Sequence, residues 1–242
     1  GSTATRPRGL STALCVPSAK LNPMRGQGSC SPCGTGDFTT SEGSLECARC
    51  PVGSACPVAS NEPDPCGPGF FAAPGKTACT RAQAGYSTSI GRVSEVICGA
   101  GFSSSSGADA CTRCEAGKHQ ASEGAPSCDS CKAGWYASGD GLANCTACPS
   151  GHSCANAAAD PAPCSDGTYA AVAATLCTRV EAGHSAIISS ALLRGGQLVC
   201  AQGLFSSGGL DDCDPCEKGK SQPAEGSASC DSCTPGWYAA SE

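Results

Sequence analysis

The sequence predicts a chain of small disulfide-rich repeats: an elongated rod of serial short β-hairpin loops with little regular secondary structure. Three observations carry this. Twenty-three of 242 residues are cysteine, a density that belongs to disulfide scaffolds in oxidising compartments. The cysteines alternate strictly between two kinds, openers that begin a C-x-x-G motif and closers that end the unit. The same spacing then recurs at a period of about 100 residues, the mark of a repeat architecture.

The openers of C-x-x-G are Cys33, Cys50, Cys66, Cys98, Cys114, Cys131, Cys148, Cys164, Cys200, Cys216 and Cys233, and Cys15 stands in the same frame without the glycine. The closers are Cys30, Cys47, Cys56, Cys79, Cys111, Cys128, Cys145, Cys154, Cys177, Cys213 and Cys230. A shift of 98 residues carries Cys30 through Cys79 onto Cys128 through Cys177, and a shift of 102 carries Cys98 through Cys131 onto Cys200 through Cys233. The expected organisation is an N-terminal segment with its first loop (1–29), a first super-repeat (30–127), a second (128–229) and the start of a third (230–242). Each super-repeat holds six units of about 17 residues.

Two units lack their cysteines. After Cys79-Thr-Arg the opener position holds Ala82, and Glu95 stands where the closer before Cys98 belongs. In the second copy Val180 and Gln197 occupy the same two places. Opener and closer are lost together, twice, which is how partners of one bond should be lost, because losing one strands a reactive thiol. This supports sequential pairing: Cys15–Cys30, Cys33–Cys47, Cys66–Cys79, Cys98–Cys111, Cys114–Cys128, Cys131–Cys145, Cys164–Cys177, Cys200–Cys213 and Cys216–Cys230. Cys50–Cys56 and Cys148–Cys154 would close over only five intervening residues, and a crossed arrangement, Cys50 with Cys66 and Cys56 with Cys79, stays open at the first of them. Cys233 meets no closer before Glu242 and is expected to be unpaired within this segment. The proline-ended stretches 57–65 and 155–163 read as stiff extended connectors.

Eleven aromatics all fall one or two residues after a unit glycine, which suggests rings laid over disulfides to supply a sparse core. The glycine itself is expected at positive φ in a turn. The one helical candidate is Ala186–Leu193. With few large apolar side chains, a core of ordinary size is out of reach. Crosslinks must stabilise the fold instead, and a loop of about 15 residues contributes about 3 kcal/mol in the chain-entropy model.

No chemistry beyond crosslinking emerges. Repeated C-x-x-C pairs would suggest zinc in a reducing compartment, but here each pair joins two units. His119, His152 and His184 lie in units of different type. The cluster Asp211, Asp212 and Asp214 lacks the spaced ligands of a calcium loop. No catalytic set, cofactor or metal site is expected, so the chain does not read as an enzyme. A net charge of −6 without basic patches argues against nucleic acid, and no segment approaches a membrane span. Asn144-Cys145-Thr146 is a candidate N-glycosylation site, and the Ser103–Ser106 tip a candidate for O-linked sugar.

The unit C-x-x-G-aromatic…G…C-x-x-C resembles the ephrin-receptor-like cysteine-rich repeat, best at Cys33–Cys50, Cys98–Cys114 and Cys131–Cys148, and is similar to the first loop of tumour-necrosis-factor-receptor modules. In such families the second cysteine of one C-x-x-C bonds the first of the next, in agreement with the pairing above. The crossed half of the receptor modules has no counterpart, so a cytokine-binding role does not follow. Long arrays with alanine- and serine-rich filler resemble those of giant algal and protist surface proteins, flagellar mastigonemes among them. The resemblance implies an extracellular or cell-surface structural protein, on the flagellar surface if it extends that far, with protein partners in a homo- or hetero-polymeric assembly. The alternative is a receptor or adhesion ectodomain that binds a protein ligand. Limited proteolysis of the oxidised protein should cut first within 82–95 or 180–197. Earlier cleavage inside a crosslinked loop would count against this frame.

Overall fold

A computed structural model describes residues 20–21, 31–41, 44, 46–188 and 194–236. They fall into two compact units, one drawn from Gly1–Gly99, Ser103–Thr112 and Glu123–Ser127, the other from Ala100–Phe102, Arg113–Ser122 and Cys128–Glu242. Among the described residues every sheet is a two-stranded antiparallel hairpin, thirteen in all, and there is no α-helix.

Each hairpin has the same frame. The first strand is the dipeptide just after the unit glycine, as at Asp37–Phe38, Phe70–Phe71 and Trp135–Tyr136. Its partner is the pair of residues lying inside the following C-x-x-C or its equivalent. Thus Asp37 pairs with Arg49 and Phe38 with Ala48, and Trp135 pairs with Ala147 and Tyr136 with Thr146. The C-x-x-C spacing is therefore a strand with one bond entering it and another leaving it. Lys20–Leu21 pairs with Ser31–Pro32 in the same way.

Ten disulfides close neighbouring cysteines: Cys33–Cys47, Cys50–Cys56, Cys66–Cys79, Cys98–Cys111, Cys114–Cys128, Cys131–Cys145, Cys148–Cys154, Cys164–Cys177, Cys200–Cys213 and Cys216–Cys230. Cys15 and Cys30 lie outside the described residues. Cys233 has no disulfide partner among the described residues.

Main-chain hydrogen bonds set the frame within each compact unit. The opener N–H donates to the carbonyl of the preceding unit glycine at 2.8–3.0 Å, as in Cys50 to Gly36, Cys66 to Gly53 and Cys148 to Gly134. In most units the glycine N–H donates in turn to the sixth residue after the next opener, Gly53 to Ala72 and Gly117 to Ala137, while Gly69 and Gly167 donate instead to the Asp109 and Asp211 carboxylates. A third bond returns to the opener carbonyl, from Gly75 to Cys50 and from Gly141 to Cys114. Ala82 and Val180 donate to Gly69 and Gly167 at the same 2.9 Å, so the frame persists where the cysteine is absent.

The core is two columns of small side chains. One is the opener column, where Cys50, Cys66, Ala82, Cys98, Cys114, Cys148, Val180 and Cys200 are buried. The other is the sixth residue after the opener, where Thr39, Ala72, Ser104, Gln120, Ala137, Ala170, Ala186, Ser206 and Gln222 are buried. These columns touch: the Cys98 Sγ lies 3.4 Å from the Ser104 Oγ. That adjacency accounts for the short loops. In those two units Cys56 and Cys154 occupy the sixth position, where they bond the opener directly, and Pro63 and Pro161 fill the closer's place.

Three expectations need correction. Stretches 57–65 and 155–163 are not extended connectors. They bend and return as hairpin limbs, with Asp64–Pro65 paired to Ser54–Ala55 and Ala162–Pro163 to His152–Ser153, because the frame pairs the two residues before every opener. The aromatic rings do not form the core. None of those in the described residues is buried, and Phe70 is 38% exposed, since their strand positions lie beside rather than at the inward sixth residue. Arg113 sits 5.9 Å from the Phe102 ring and Lys132 4.3 Å from the Trp135 ring, covering them from the solvent side. Ala186–Ile188 is not helical but part of strand His184–Ile188, paired with Arg194–Val199, because the hairpin frame overrides a weak helical spacing. Residues 189–193 lie outside the described residues.

Backbone proximity explains the glycines. Gly69 has φ of 75°, and a Cβ there would run into the carbonyl of Gly107. A second positive-φ position is glycine in most units, yet Ala173 takes it at 63°, a left-handed conformation that costs an L-residue about 1–2 kcal/mol. Ala173→Gly should therefore raise the thermal midpoint, with a gain near 1 kcal/mol, and Gly69→Ala should lower it by more than about 1 kcal/mol. Calorimetry of the oxidised proteins would check both.

Candidate interaction site at the disulfide-free hairpins

The two units without cysteines replace the covalent staple by side-chain hydrogen bonds. In the first, the N–H and Nε2 of Gln83 donate to the Glu95 carboxylate at 3.0 and 3.1 Å. In the second, the Glu181 N–H donates to Gln197 Oε1 at 3.0 Å, and Gln197 Nε2 donates to Glu181 Oε2 at 3.1 Å. Glu95 and Gln197 are the residues in the closer position, and each reaches the residue after the missing opener. Amide and carboxylate have exchanged strands between the copies. Above the clasp the hairpins are longer than elsewhere, Tyr86–Thr88 with Glu95–Ile97 and His184–Ile188 with Arg194–Val199.

Each hairpin carries an arginine that holds three neighbouring units together. Arg92 Nη1 donates to the Cys66 carbonyl at 2.8 Å, and its Nη2 meets Asp109 Oδ2 at 3.3 Å. Asp109 Oδ1 also accepts from Thr88 Oγ1 at 2.5 Å and from the Gly69 N–H at 3.3 Å. The second copy keeps the plan. Arg194 Nε and Nη2 engage Asp211 at 3.0 and 2.6 Å, Nη1 donates to the Cys164 carbonyl at 3.4 Å, and Asp211 Oδ1 accepts from the Gly167 N–H at 2.9 Å. Asp166 adds a second carboxylate at 2.5 Å from Arg194 Nη2. The second clasp is the less exposed: its Arg and Asp side chains are 17% and 21% exposed, against 34% and 47% in the first.

These contacts shift the carboxyl groups. The Thr88 hydroxyl bond, then the Arg92 bond and the Gly69 amide, lower the Asp109 pKa to about 2. Arg194 and the Gly167 amide hold Asp211 below the usual carboxylate range, and Asp211 raises Arg194 in return. Hydrogen bonds to the ionised form are the dominant cause in each case.

A cleft of about 390 Å³ opens beside the first clasp, between Val52, Pro65, Thr88, Ile90, Arg92 and Asp109. Gly91 and Arg92 turn there at φ of 76° and 54°, which leaves Ile90 fully exposed at the tip. Val96, Ile97, Ile187, Leu198 and Val199 on the same two hairpins are also more than 40% exposed. The hairpins therefore present branched apolar side chains outward, next to a guanidinium fixed in position.

Sequence reading did not single out Arg92, Arg194 or Asp109, because each clasp joins residues from different units. The available signal was that Arg92 and Asp109 both recur 102 residues on, as Arg194 and Asp211. The weighed acidic cluster separates in the structure. Asp211 is committed to Arg194, Asp212 is exposed, and Asp214 lies on a strand opposite Phe205. Ser104 of the serine tip is buried and donates to the Tyr86 carbonyl at 2.8 Å, so it is not open to sugar. The three histidines do not come together. His119 Nδ1 lies 3.2 Å from Cys145 Sγ, the nearest approach to a metal-like cluster among the described residues. Cys145 is bonded to Cys131, so neither sulfur is a thiolate ligand.

Comparison with known proteins adds one match. Residues 203–242 match the family of tyrosine-protein kinase ephrin type A/B receptor-like sequences. No curated protein matches the chain. The matched stretch contains Cys213, whose partner Cys200 lies just before it, the bond Cys216–Cys230 and the next opener Cys233, and its hairpins share the frame of the other units. Residues 203–242 are thus similar to an ephrin-receptor-like cysteine-rich repeat, and with the serial disulfides this supports a cysteine-rich repeat of an extracellular, disulfide-rich kind. Among the described residues no helix is long and apolar enough to cross a membrane.

The lowered carboxyl groups set an acid limit. A carboxyl whose folded pKa lies below its unfolded value near 3.9 stabilises the fold above that value and loses the effect as pH falls toward the folded pKa. The first clasp should therefore be intact at neutral pH and fail between about pH 4 and pH 2, where Asp109 takes up its proton, and the second should weaken only below the usual carboxylate range, where Asp211 protonates. Hydrogen exchange at the amides of Gly69 and Gly167 would report it. Asp109→Asn and Asp211→Asn should speed those amides at pH 7 and flatten their acid response, with the larger effect at Gly167.

Proposed function

We propose that the chain is part of an extracellular structural protein, a stiff disulfide-stapled rod within a fibrous or cell-surface assembly such as the flagellar surface. The observation that carries this reading is the hydrogen-bonded frame: within each compact unit, successive described hairpins bond to one another through the main chain. Such a design extends by adding units, each resting on its neighbour. Super-repeats of about 100 residues are the building blocks, and serial bonds between neighbouring cysteines limit how far any one unit opens under load.

The exposed hairpins support a polymeric assembly. One disulfide-free hairpin occurs per super-repeat, each with outward apolar side chains, and a contact repeated at a fixed period suits a partner with the same period. A second copy of the array meets that requirement. No cofactor, nucleic acid or catalytic step enters this role, and a receptor or adhesion ectodomain is the reading it competes with.

Single-molecule stretching tests the mechanical claim. The oxidised chain should yield a short contour length, and thiol reduction should then release about 40 Å for each loop of 13 or 14 residues, at roughly 3.4 Å per residue less the closed span. Oxidised and reduced chains of equal contour length would overturn it. Concentration-dependent self-association into filaments would favour the structural role. A monodisperse chain that instead retains a soluble protein ligand at stoichiometric ratio would favour the receptor.

A further inference from the structure

The N-linked acceptor motif at Asn144 is the one chemically specific feature that the structural role leaves unused. Asn144 lies in a bend on the surface, immediately before Cys145, and Thr146 is exposed at the start of the strand Thr146–Ala147. Neither the Asn144 carboxamide nor the Thr146 hydroxyl is spent on another group among the described residues. The amide is therefore free to react and the hydroxyl free to be recognised, the two requirements of an Asn-x-Thr acceptor. The equivalent stretch of the other super-repeat reads Glu46-Cys47-Ala48, so only one copy carries the motif.

The middle residue of the motif gives the site a second property. Cys145 is bonded to Cys131, and the strand that starts at Thr146 is paired with Trp135–Tyr136. A transferase must draw the acceptor into its own active site and bend it there, which an open loop permits and a stapled hairpin resists. Disulfide closure takes seconds or longer, the interval in which a nascent chain meets the enzyme.

We propose that Asn144 is an N-glycan acceptor whose occupancy is set by competition between glycosyl transfer and closure of Cys131–Cys145. The donor is a lipid-linked pyrophosphoryl oligosaccharide. The Asn144 Nδ2 forms a bond to the anomeric carbon of the first sugar, the bond from that carbon to the pyrophosphate oxygen breaks, and the lipid pyrophosphate leaves. One amide proton passes to the transferase, and nothing is oxidised or reduced. The inference rests on passage through an oxidising secretory compartment and is independent of any polymeric assembly.

The test is secretory expression of the whole chain in eukaryotic cells, read by electrophoresis of lysate and medium with and without a peptide-N-glycosidase. The wild type should give an occupied and an unoccupied form that merge on enzyme treatment. Asn144→Gln and Thr146→Ala should each give only the lower form. The double variant Cys131→Ser/Cys145→Ser keeps the acceptor motif and removes the competing bond, so it should shift toward full occupancy. Reading the lysate makes that result independent of whether the variant folds well enough to leave the cell. A mobility shift that survives Asn144→Gln, or none in either the wild type or the double variant, overturns the acceptor assignment. Equal occupancy with and without the cysteines overturns the competition.

Discussion

Everything in this fold depends on the close approach of two backbones at the unit glycine. Its carbonyl accepts the next opener's N–H, its own N–H reaches the following unit, and its missing Cβ leaves room for a neighbouring carbonyl. The bond is as short at Ala82 and Val180 as at the cysteines on either side. The frame is thus set by the main chain, and the disulfide is one of several ways to fill it. This explains how a cysteine can move from the place just before the return strand to the sixth position, as Cys56 and Cys154 do, without disturbing the hairpin around it.

The disulfides still carry much of the stability, since the columns they line are otherwise mostly alanine, serine and threonine, with Val180, Gln120 and Gln222 the larger members. In the chain-entropy model a loop closed over 13 or 14 residues contributes about 3 kcal/mol, and one closed over six contributes about 2. Where the staple is missing, the Gln83–Glu95 and Glu181–Gln197 clasps stand in. Those are exposed hydrogen bonds, each worth on the order of 1 kcal/mol or less. The difference leaves these two hairpins without the covalent closure of the units beside them. They are also the places where the strands lengthen, so that extra ladder bonds offset part of the loss.

The hairpin frame was legible in the sequence because its determinants are residue types that leave little choice. Cysteine spacing marks the loops, and glycine marks the turn. The inward sixth position was not legible, since Thr39, Ala72, Ser104 and Gln120 share nothing but modest size. The aromatics misled for a related reason. Their spacing from the glycine is constant, yet that spacing places them on the strand flank, and regularity was read as burial. Stretches 57–65 and 155–163 carry prolines and no periodicity, and only the pairing rule for residues before an opener shows that they turn back. The arginine clasps draw on residues from three units at once, beyond the reach of any pattern confined to one.

The placement of those clasps gives the super-repeat its meaning. A string of identical stapled units would need no period longer than one unit. Introducing a soft hairpin creates a weak point, and at each such point a long side chain reaches across to bind both neighbours: Arg92 to Cys66 and Asp109, Arg194 to Cys164 and Asp211. In the second copy four more residues lengthen the hairpin, and the clasp there gains Asp166 and becomes the less exposed of the two. A longer unstapled hairpin thus coincides with a stronger polar tie. Covalent closure is given up in one unit of six, and what replaces it is a hairpin with free apolar side chains on a firmly anchored base. On the structural role proposed above, the stapled units supply length, and the periodic unstapled one supplies a surface for meeting another chain.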